Sequence, residues 1–353
     1  MSINLFHFSE DGKFFRQLDG IKKLSGSPFR VTLYMYDKRC DIINIFSQFR
    51  SDISVVSNFI KISEDSSKIA YECKVEIDSI RESEKDKVKS YLIISKVKQI
   101  AILVSNHRRD EYIKIVSFFN RFYPFINRVF MRSFQILEIL NQLDKTNRLK
   151  IIAKSYVARR YFGKPKSEIC YETNDYKTVF KNVSEDKLWV DSILLSVIRE
   201  KDTFMIRLNR KGIFSYSGIT FSEIYYLVLE KMIDYFVDYL NFIENKGRSI
   251  SKLDPSPIRI SLTDDVFVDS QSFEKMLARI RTNLTDWGFS VLSSDSIFGH
   301  IMLHDYASGS CFDLYIGSSK QIDIIPQTQV TDISFNRLLS FVLDNYEGAL
   351  ENA

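Results

Sequence analysis

The chain has 353 residues, of which 45% are hydrophobic and 27% are charged, and its formal net charge is +4 at pH 7. This length and composition are typical of a globular protein with two or three domains, each with its own hydrophobic core. Glycine (12 residues) and proline (6 residues) are scarce. Their scarcity argues against long disordered linkers and against enzymes that hold nucleotides in glycine-rich loops.

The compartment is predicted from what the chain lacks. The N-terminus has neither the basic region nor the apolar run of a signal peptide, and no stretch reaches about 18 apolar residues. The four cysteines lie far apart without a CxxC pair, which is typical of free thiols in a reducing compartment. We therefore expect a cytoplasmic protein that has no membrane partner.

Hydrophobic periodicity predicts alternating strands and helices in the first part of the chain. The predicted elements are a strand at 29–37, a helix at 39–49, strands at 53–62 and 68–77, an apolar run at 91–104 that fits two strands or one bent strand, and a helix from 109 that Pro124 interrupts and that resumes to 143.

The middle of the chain contains its most apolar helix. Before it, the sequence predicts a strand at 149–162, a helix at 173–183, a hairpin of 188–198 with 203–209, and a strand at 213–216. The helix begins with a capping box of Thr220 and Glu223 and ends at Gly247. Its polar residues form one narrow stripe, so about two-thirds of its surface must be covered.

A linker-like segment, 247–257, precedes the last part of the chain. The elements predicted after it are a strand at 258–262, a helix at 269–287, strands at 289–292, 300–306, 311–316 and 321–325, and a helix at 331–346.

This order predicts an α+β fold of up to three diverged β-α-β(2-4)-α units, each an antiparallel sheet with helices packed on one face. The predicted boundaries are 1–145, 146–248 and 249–353, and the last unit is acidic, with fourteen Asp/Glu against seven Lys/Arg. The order of elements resembles the saddle-shaped unit of TATA-binding-protein-like folds. That resemblance is an analogy of fold and implies no family.

Charge is concentrated in one segment. Residues 112–167 contain twelve Lys/Arg and two acids, a net charge of +10, so the rest of this +4 chain sums to −6. Its densest part, 145–166, has eight Lys/Arg, no acid and three aromatic residues. Lysine and arginine without nearby carboxylates suit phosphate binding, and aromatic rings beside them can stack on the bases of a single strand.

We expect nucleic acid, either DNA or RNA, to bind there without sequence preference. On one strand, Lys150, Lys154 and Tyr156 are expected to share a face. The full set of predicted nucleic-acid-binding residues is Arg148, Lys150, Lys154, Tyr156, Arg159, Arg160, Tyr161, Lys164 and Lys166. A docking surface for an acidic protein partner, or a solvated basic face, are the other interpretations of this charge.

Catalytic patterns are weak. Asp65, Glu72 and Lys74 follow the order of metal-dependent nucleases that resemble restriction endonucleases, in which two carboxylates hold Mg²⁺ and the lysine polarises water. His300 and His304 lie near Asp305, Cys311 and Asp313, but on a strand the two histidines are about 13 Å apart, too far to share a zinc ion. We therefore expect no metal and no cofactor.

The sequence thus favours a non-catalytic, nucleic-acid-binding subunit of an intracellular nucleoprotein assembly, with other protein subunits as partners. The first alternative is a protein scaffold whose basic and acidic faces bind different partners. The second is a Mg²⁺-dependent nuclease that uses Asp65, Glu72 and Lys74.

Overall fold

The computed structural model describes residues 14–20, 28–37, 39–48, 56–77, 87–147, 149–160, 166–170, 174–186, 188–200, 202–246, 257–294, 298–327 and 330–350. Helices and strands make up about 34% and 42% of it, and the strands form two antiparallel sheets. The predicted α+β class is therefore confirmed. Among the described helices, none is both long enough and apolar enough to span a bilayer.

The first part of the chain contributes six strands and three of the helices. In chain order they are α1 (Arg16–Asp19), β1 (Phe29–Tyr36), α2 (Ile42–Gln48), β2 (Val56–Glu64), β3 (Lys68–Val75), β4 (Ser90–Ser95), β5 (Ile100–Ser105), α3 (Arg109–Asn120) and β6 (Ile126–Arg128). The apolar run 91–104 forms two strands, and a short strand separates α3 from the next helix.

The predicted elements of the middle part are present with bounds shifted by a few residues, together with two short strands, at 166–170 and 174–175, that were not predicted. They are α4 (Ser133–Asn147), β7 (Lys150–Arg160), β8 (Lys166–Cys170), β9 (Asn174–Asp175), α5 (Tyr176–Glu185), β10 (Trp189–Arg199), β11 (Asp202–Asn209), β12 (Ile213–Ser217) and α6, which joins Phe221–Ile224, a π-helical turn Tyr225–Leu229 and Glu230–Lys246. The predicted capping box is present, because Thr220 Oγ1 accepts from Glu223 N and Glu223 Oε2 accepts from Thr220 N. The predicted stop at Gly247 and the linker 247–257, apart from residue 257, lie outside the described residues.

The last part of the chain forms the smaller sheet and two helices. Its elements are β13 (Ile258–Leu262), α7 (Ser270–Asn283), β14 (Trp287–Ser294), β15 (Gly299–Asp305), β16 (Cys311–Ser318), β17 (Gln321–Pro326), α8 (Asp332–Asn345) and β18 (Gly348–Leu350).

The larger sheet joins strands from the predicted first and middle units. Its order is β2-β3-β4-β5-β1-β12-β11-β10-β7-β8, with β6 paired to β1 and β9 to β7. The smaller sheet has the order β14-β15-β16-β17-β13-β18. The first and last parts share one topology, in which the first strand lies beside the last strand of the meander. In the middle part, β7 lies beside the first strand of the meander instead, and internal repetition stays a prediction.

Helices cover the larger sheet unequally. On one face, α4, α5 and α6 pack against core residues of β1, β10, β11 and β12, such as Leu33, Leu195 and Ile206. On the other face, α2 and α3 cover only the half formed by β1 to β5, where Phe46 and Phe119 pack on Tyr34 and Leu103. The half of the sheet formed by β1 to β5 is therefore covered on both faces, because its strands carry apolar residues on both sides.

A buried arginine joins the two sheets. Arg210, at the turn after β11, is fully buried, and its Nη2 donates to Leu343 O at 2.6 Å and to Glu347 Oε2 at 2.7 Å. Its guanidinium also lies over the rings of Phe130 and Trp189, 4.9 and 5.5 Å from their centroids. The larger sheet therefore holds the end of α8 and Glu347, two residues beyond it, through one cation.

The two partners of this ion pair differ in how they tolerate burial. Burial raises the pKa of Glu347, although the charges of Arg210 and Arg132 oppose that shift. A carboxyl group can thus take up a proton when its charge is disfavoured, whereas a guanidinium stays charged. Loss of the Glu347 side chain leaves the permanent charge of Arg210 buried without its carboxylate partner. Loss of the Arg210 side chain leaves no buried charge, because the Glu347 carboxyl can become neutral by taking up a proton.

We predict that Glu347→Ala lowers the free energy of unfolding by about 3–5 kcal/mol, the usual result of breaking a buried ion pair. Arg210→Met should cost less, because Glu347 can become neutral. Urea unfolding at pH 7 measures both values, and the double variant should be more stable than Glu347→Ala alone. Equal losses for the two single variants would contradict the asymmetry.

A buried histidine at the start of α3 supplies a pH-dependent contribution. His107 is 1% exposed, and burial lowers its pKa from 6.5 to about 4. In the unfolded chain His107 therefore binds a proton near pH 6.5, whereas in the folded chain it binds one only near pH 4. The neutral ring contributes its full stability at pH values above the pKa that His107 has in the unfolded chain. This contribution falls as the pH drops towards the pKa that His107 has in the folded chain.

We predict that this histidine alone removes up to about 3 kcal/mol of stability as the pH falls from 6.5 towards 4. Urea unfolding across this range measures the loss. His107→Gln should be less stable at pH 7 but should lose less stability on acidification. A parallel decline in both proteins would show that His107 does not titrate as described.

Candidate nucleic-acid interface

The half of the larger sheet formed by β12, β11, β10 and β7 has one covered face and one open face. Residues such as Ile193, Leu195, Phe204 and Ile206 alternate into the core beneath the helices. The alternate residues point to the other side. In the described part of the chain, the helices of that side, α2 and α3, pack on β1 to β5 and reach no further than Ile213. We call the remaining surface the open face.

One row of paired residues crosses the open face. Arg30 of β1 is opposite Ser215 of β12, which is opposite Arg207 of β11. Arg207 in turn is opposite Leu194 of β10, and Leu194 is opposite Ser155 of β7. Directly paired residues point to the same side of a sheet, so the two arginines share this face about 10 Å apart, two strand spacings. Arg207 is exposed.

Arg30 lies where α3 stops covering the sheet. Burial lowers the pKa of Arg30, and the charge of Arg109 acts in the same direction, while Tyr112 and Asp110 oppose the shift. Its Nε is buried and meets no hydrogen-bond partner among the residues that the structure describes. A cation held in this way is stabilised by a nearby negative charge.

Strand β7 adds two lysines. Lys150, opposite Ile198, and Lys154 are both exposed. The pairing with β10 passes from Leu194↔Ser155 to Leu195↔Ala153, which leaves Lys154 as an extra residue in a β-bulge. The two lysines are therefore accessible at the β7 side of the open face.

The same bulge overturns the predicted role of Tyr156. Before the bulge, Ile151 and Ala153 point into the core, and after it Tyr156 and Ala158 do so. Tyr156 is only 8% exposed and is opposite the buried Ile193. The expectation that it shares a face with Lys150 and Lys154 was wrong, because strict alternation does not hold across a bulge. Its ring is unable to stack on a base.

Arg159 is on the open face but has a carboxylate partner. Its Nε lies 3.2 Å from Asp191 Oδ2, and the two side chains are 35% and 6% exposed. Asp191 is itself the extra residue of a second bulge, in β10. The sequence around Arg159 contains no acidic residue. The sheet places Asp191, more than thirty residues away in the sequence, beside Arg159. The charge of Arg159 is therefore partly neutralised.

The other predicted residues are less fully described. Arg160 and Lys166 are opposite each other where β7 turns towards β8, and the structure describes their backbone positions. Arg148, Tyr161 and Lys164 lie outside the described residues.

The +10 segment as a whole does not form one surface. Lys114 and Arg121 lie on the exposed side of α3 or at its end, whereas Lys145 lies on α4, on the opposite side of the sheet. Arg132 is buried and its Nη1 donates to Gly348 O at 3.3 Å. The net charge of a continuous stretch therefore overstates the charge of any single face.

The open face carries few acids of its own. On the described strands that form it, Asp191 is paired with Arg159, and Asp175, opposite Ile152, accepts from Lys177 N as the cap of α5. Lys150, Lys154, Arg30 and Arg207 therefore keep most of their positive potential. Half-buried apolar side chains lie between them, namely Ile152, Leu194, Ile198 and Met205.

Sequence reasoning missed Arg30 and Arg207. The alternation in 202–209 places Thr203, Met205, Arg207 and Asn209 on one face, so Arg207 had a detectable signal as a charged residue in a half-buried strand. Arg30 had no such signal, because the pairing of β1 with β12 is needed to bring it beside Ser215.

The predicted nuclease residues form no metal site in the described residues. Glu72 Oε1 accepts from Lys89 Nζ at 2.8 Å and from Lys74 Nζ at 3.2 Å. Burial opposes the charge of Glu72, but these two lysines outweigh it and hold its pKa below the usual range. Asp65 Oδ1 accepts from the backbone of Ser67 and Lys68 and so closes the β2–β3 turn. Both carboxylates are thus already compensated.

The histidines of the smaller sheet are likewise paired. His304 Nδ1 lies 2.7 Å from Cys311 Sγ, and His300 Nε2 lies 3.2 Å from Asp313 Oδ1. These are two separate pairs on neighbouring strands, and no group of three ligand types occurs within the described ranges. Burial and the charge of Asp313 raise the pKa of the Cys311 thiol, which disfavours a reactive thiolate.

Comparison with protein-family models and with curated proteins finds no match to this chain.

Substitutions on the two faces of β7 should have different effects on stability. Tyr156→Ala should lower the free energy of unfolding by about 3 kcal/mol, because it removes a core ring and leaves a cavity. Lys154→Ala, two residues away and exposed, should change stability by less than about 0.5 kcal/mol. Thermal and urea unfolding measure both. A Tyr156→Ala protein as stable as the parent would place the ring outside the core.

Proposed function

We propose that this protein binds the phosphate backbone of single-stranded nucleic acid along the open face, as a non-catalytic subunit of a nucleoprotein assembly. The observation that carries the proposal is the row in which Arg30 and Arg207 flank Ser215. Two guanidinium groups and a hydroxyl supply donors at a spacing of one strand. Lys150 and Lys154 extend the positive surface towards β7.

The chemistry of the row suits phosphate. Each guanidinium offers up to five N–H donors, and serine hydroxyls donate to phosphate oxygens without reading sequence. Of the carboxylates on its described strands, Asp191 is paired with Arg159 and Asp175 caps α5, so a polyanion meets limited repulsion there. Binding through such contacts depends on charge and is nearly independent of base identity.

The apolar side chains between the cations favour a single strand over a duplex. In a duplex the bases are stacked inside and the phosphates line the outside, so Leu194, Ile198 and Met205 find no partner. In a single strand, unpaired bases can lie against these side chains while the phosphates contact the arginines and lysines. Base contacts of this kind are tolerant of sequence.

We predict that the affinity for a fluorescent oligonucleotide falls steeply with salt. If Arg30, Arg207, Lys150 and Lys154 each contact one phosphate, the slope of log affinity against log salt is about −3 for a single strand. Arg207→Glu combined with Lys154→Glu should weaken binding and make the slope shallower by about 1.4, twice the contribution of one contact. Fluorescence anisotropy across a salt series measures both.

A matched control separates site binding from net charge. Lys181→Glu combined with Lys275→Glu makes the same change of charge at exposed helical positions away from the open face, and it should leave the slope unchanged. A flat salt profile in the parent protein, or equal losses for both double variants, would overturn the proposal. The former result would favour a protein scaffold instead.

A further inference from the structure

The outer edge of β14 in the smaller sheet is unpaired. β14 stands at one end of the strand order and is hydrogen-bonded to β15 on one side. No strand of the described chain pairs with its other side. Such an edge presents a row of backbone N–H and C=O groups at the spacing of a strand. These groups are satisfied best by another extended chain.

The other edges of the two sheets have features that discourage such pairing. At one end of the larger sheet, β2 carries Lys61 and Glu64 and contains two bulges. At the other end, β8 carries Lys166 and Glu168. In the smaller sheet, β18 is only three residues long. Charged side chains, bulges and short length are the usual means by which proteins prevent association at sheet edges.

β14 is long, uncharged and exposed. It has eight residues, WGFSVLSS, with neither a charged residue nor a proline. Its single bulge, between Val291 and Ser293, leaves the strand from Trp287 to Val291 in regular register with β15. The last five residues of β14 are exposed, and among them the side chains of Val291 and Leu292 are 41% and 51% exposed. This edge therefore offers apolar surface beside its free backbone groups.

The sequence of β14 is complementary to itself. Phe289 and Val291 are opposite Leu303 and Ile301 of β15, which are both fully buried, so the two side chains point to the side of the sheet that α7 covers. An antiparallel pair of identical strands with its two-fold axis at Ser290 places Phe289 of each copy opposite Val291 of the other. Pairs of an aromatic and a β-branched residue are among the favourable cross-strand pairs.

We propose that two copies of this protein associate through their β14 edges, antiparallel and with the two-fold axis at Ser290. The two smaller sheets, each of six strands, then form one continuous sheet. Because the axis uses the β14 edge of both copies, association stops at the dimer. The strand is about 27 Å long, and its pairing buries less area than a standard protein interface, so we expect a dissociation constant in the micromolar range.

Sedimentation velocity of the full chain, from about 1 to about 200 μM, should show a reversible monomer–dimer equilibrium. Ser290→Lys, at an exposed position, places two lysines directly opposite each other at the axis and should raise the dissociation constant at least about tenfold. Ser294→Lys adds the same charge at an exposed position away from the axis and should change the constant by less than about twofold. Circular dichroism confirms that each variant is folded.

Cysteine cross-linking tests the position of the axis. In the Ser290→Cys variant the two introduced thiols are on residues whose Cα atoms lie about 4.5–5.5 Å apart, within the range of a disulfide. In the Ser294→Cys variant the corresponding Cα atoms are about 27 Å apart. Mild oxidation and a non-reducing gel should therefore show a covalent dimer for the first variant only. The parent protein, oxidised in parallel, reports any contribution of its own thiols, such as Cys40 and Cys311.

Four results would overturn this assignment. These are a monomer at every concentration, a mass that grows beyond that of the dimer, a dissociation constant that Ser290→Lys leaves unchanged, and cross-linking of the Ser294→Cys variant that equals that of the Ser290→Cys variant.

Discussion

The burial of Arg210 is the constraint on which the arrangement of the two sheets depends. A guanidinium without solvent contact needs acceptors, and among the described residues its acceptors are Leu343 O and Glu347, both in the last part of the chain. The same cation lies over Phe130, just before α4, and over Trp189, at the start of β10. One side chain thus fixes the end of α8 against the turn after β11, and a shift of either sheet would leave a buried charge without a partner.

That attachment also explains which surfaces remain available. The smaller sheet and α8 are held on the helical side of the larger sheet, where Phe236 of α6 faces Leu339 and Leu343. The other side of β12, β11, β10 and β7 is left open within the described chain, and the two bulges in β7 and β10 decide which side chains point there. The covered face and the open face of these strands are therefore two sides of one packing arrangement.

Local patterns predicted most elements of this fold and few of its contacts. The alternation in 202–209 and the capping box of Thr220 and Glu223 depend on neighbours in the sequence, and both are present. The face of β7 on which Tyr156 lies depends on a bulge, which is visible only from the pairing of β7 with β10. The ion-pair partner of Arg159 also comes from β10. Arg30 and Arg207 meet through β12, so the row that they form is a property of strand order. Such non-local features leave no signal in a single sequence.

The net charge of a segment of the sequence differs from the charge of any one surface of the fold. Summed along the sequence, the segment 112–167 is strongly basic, but its members divide between α3, α4, the core and β7. Summed across the sheet, a smaller number of cations from distant segments lie together on one face. A polyanion responds to the potential at the surface, which falls off within about 8–10 Å at physiological salt. The proposed binding of a phosphate backbone therefore depends on the spatial row of Arg30, Arg207 and the lysines of β7, and not on the net charge of the segment 112–167.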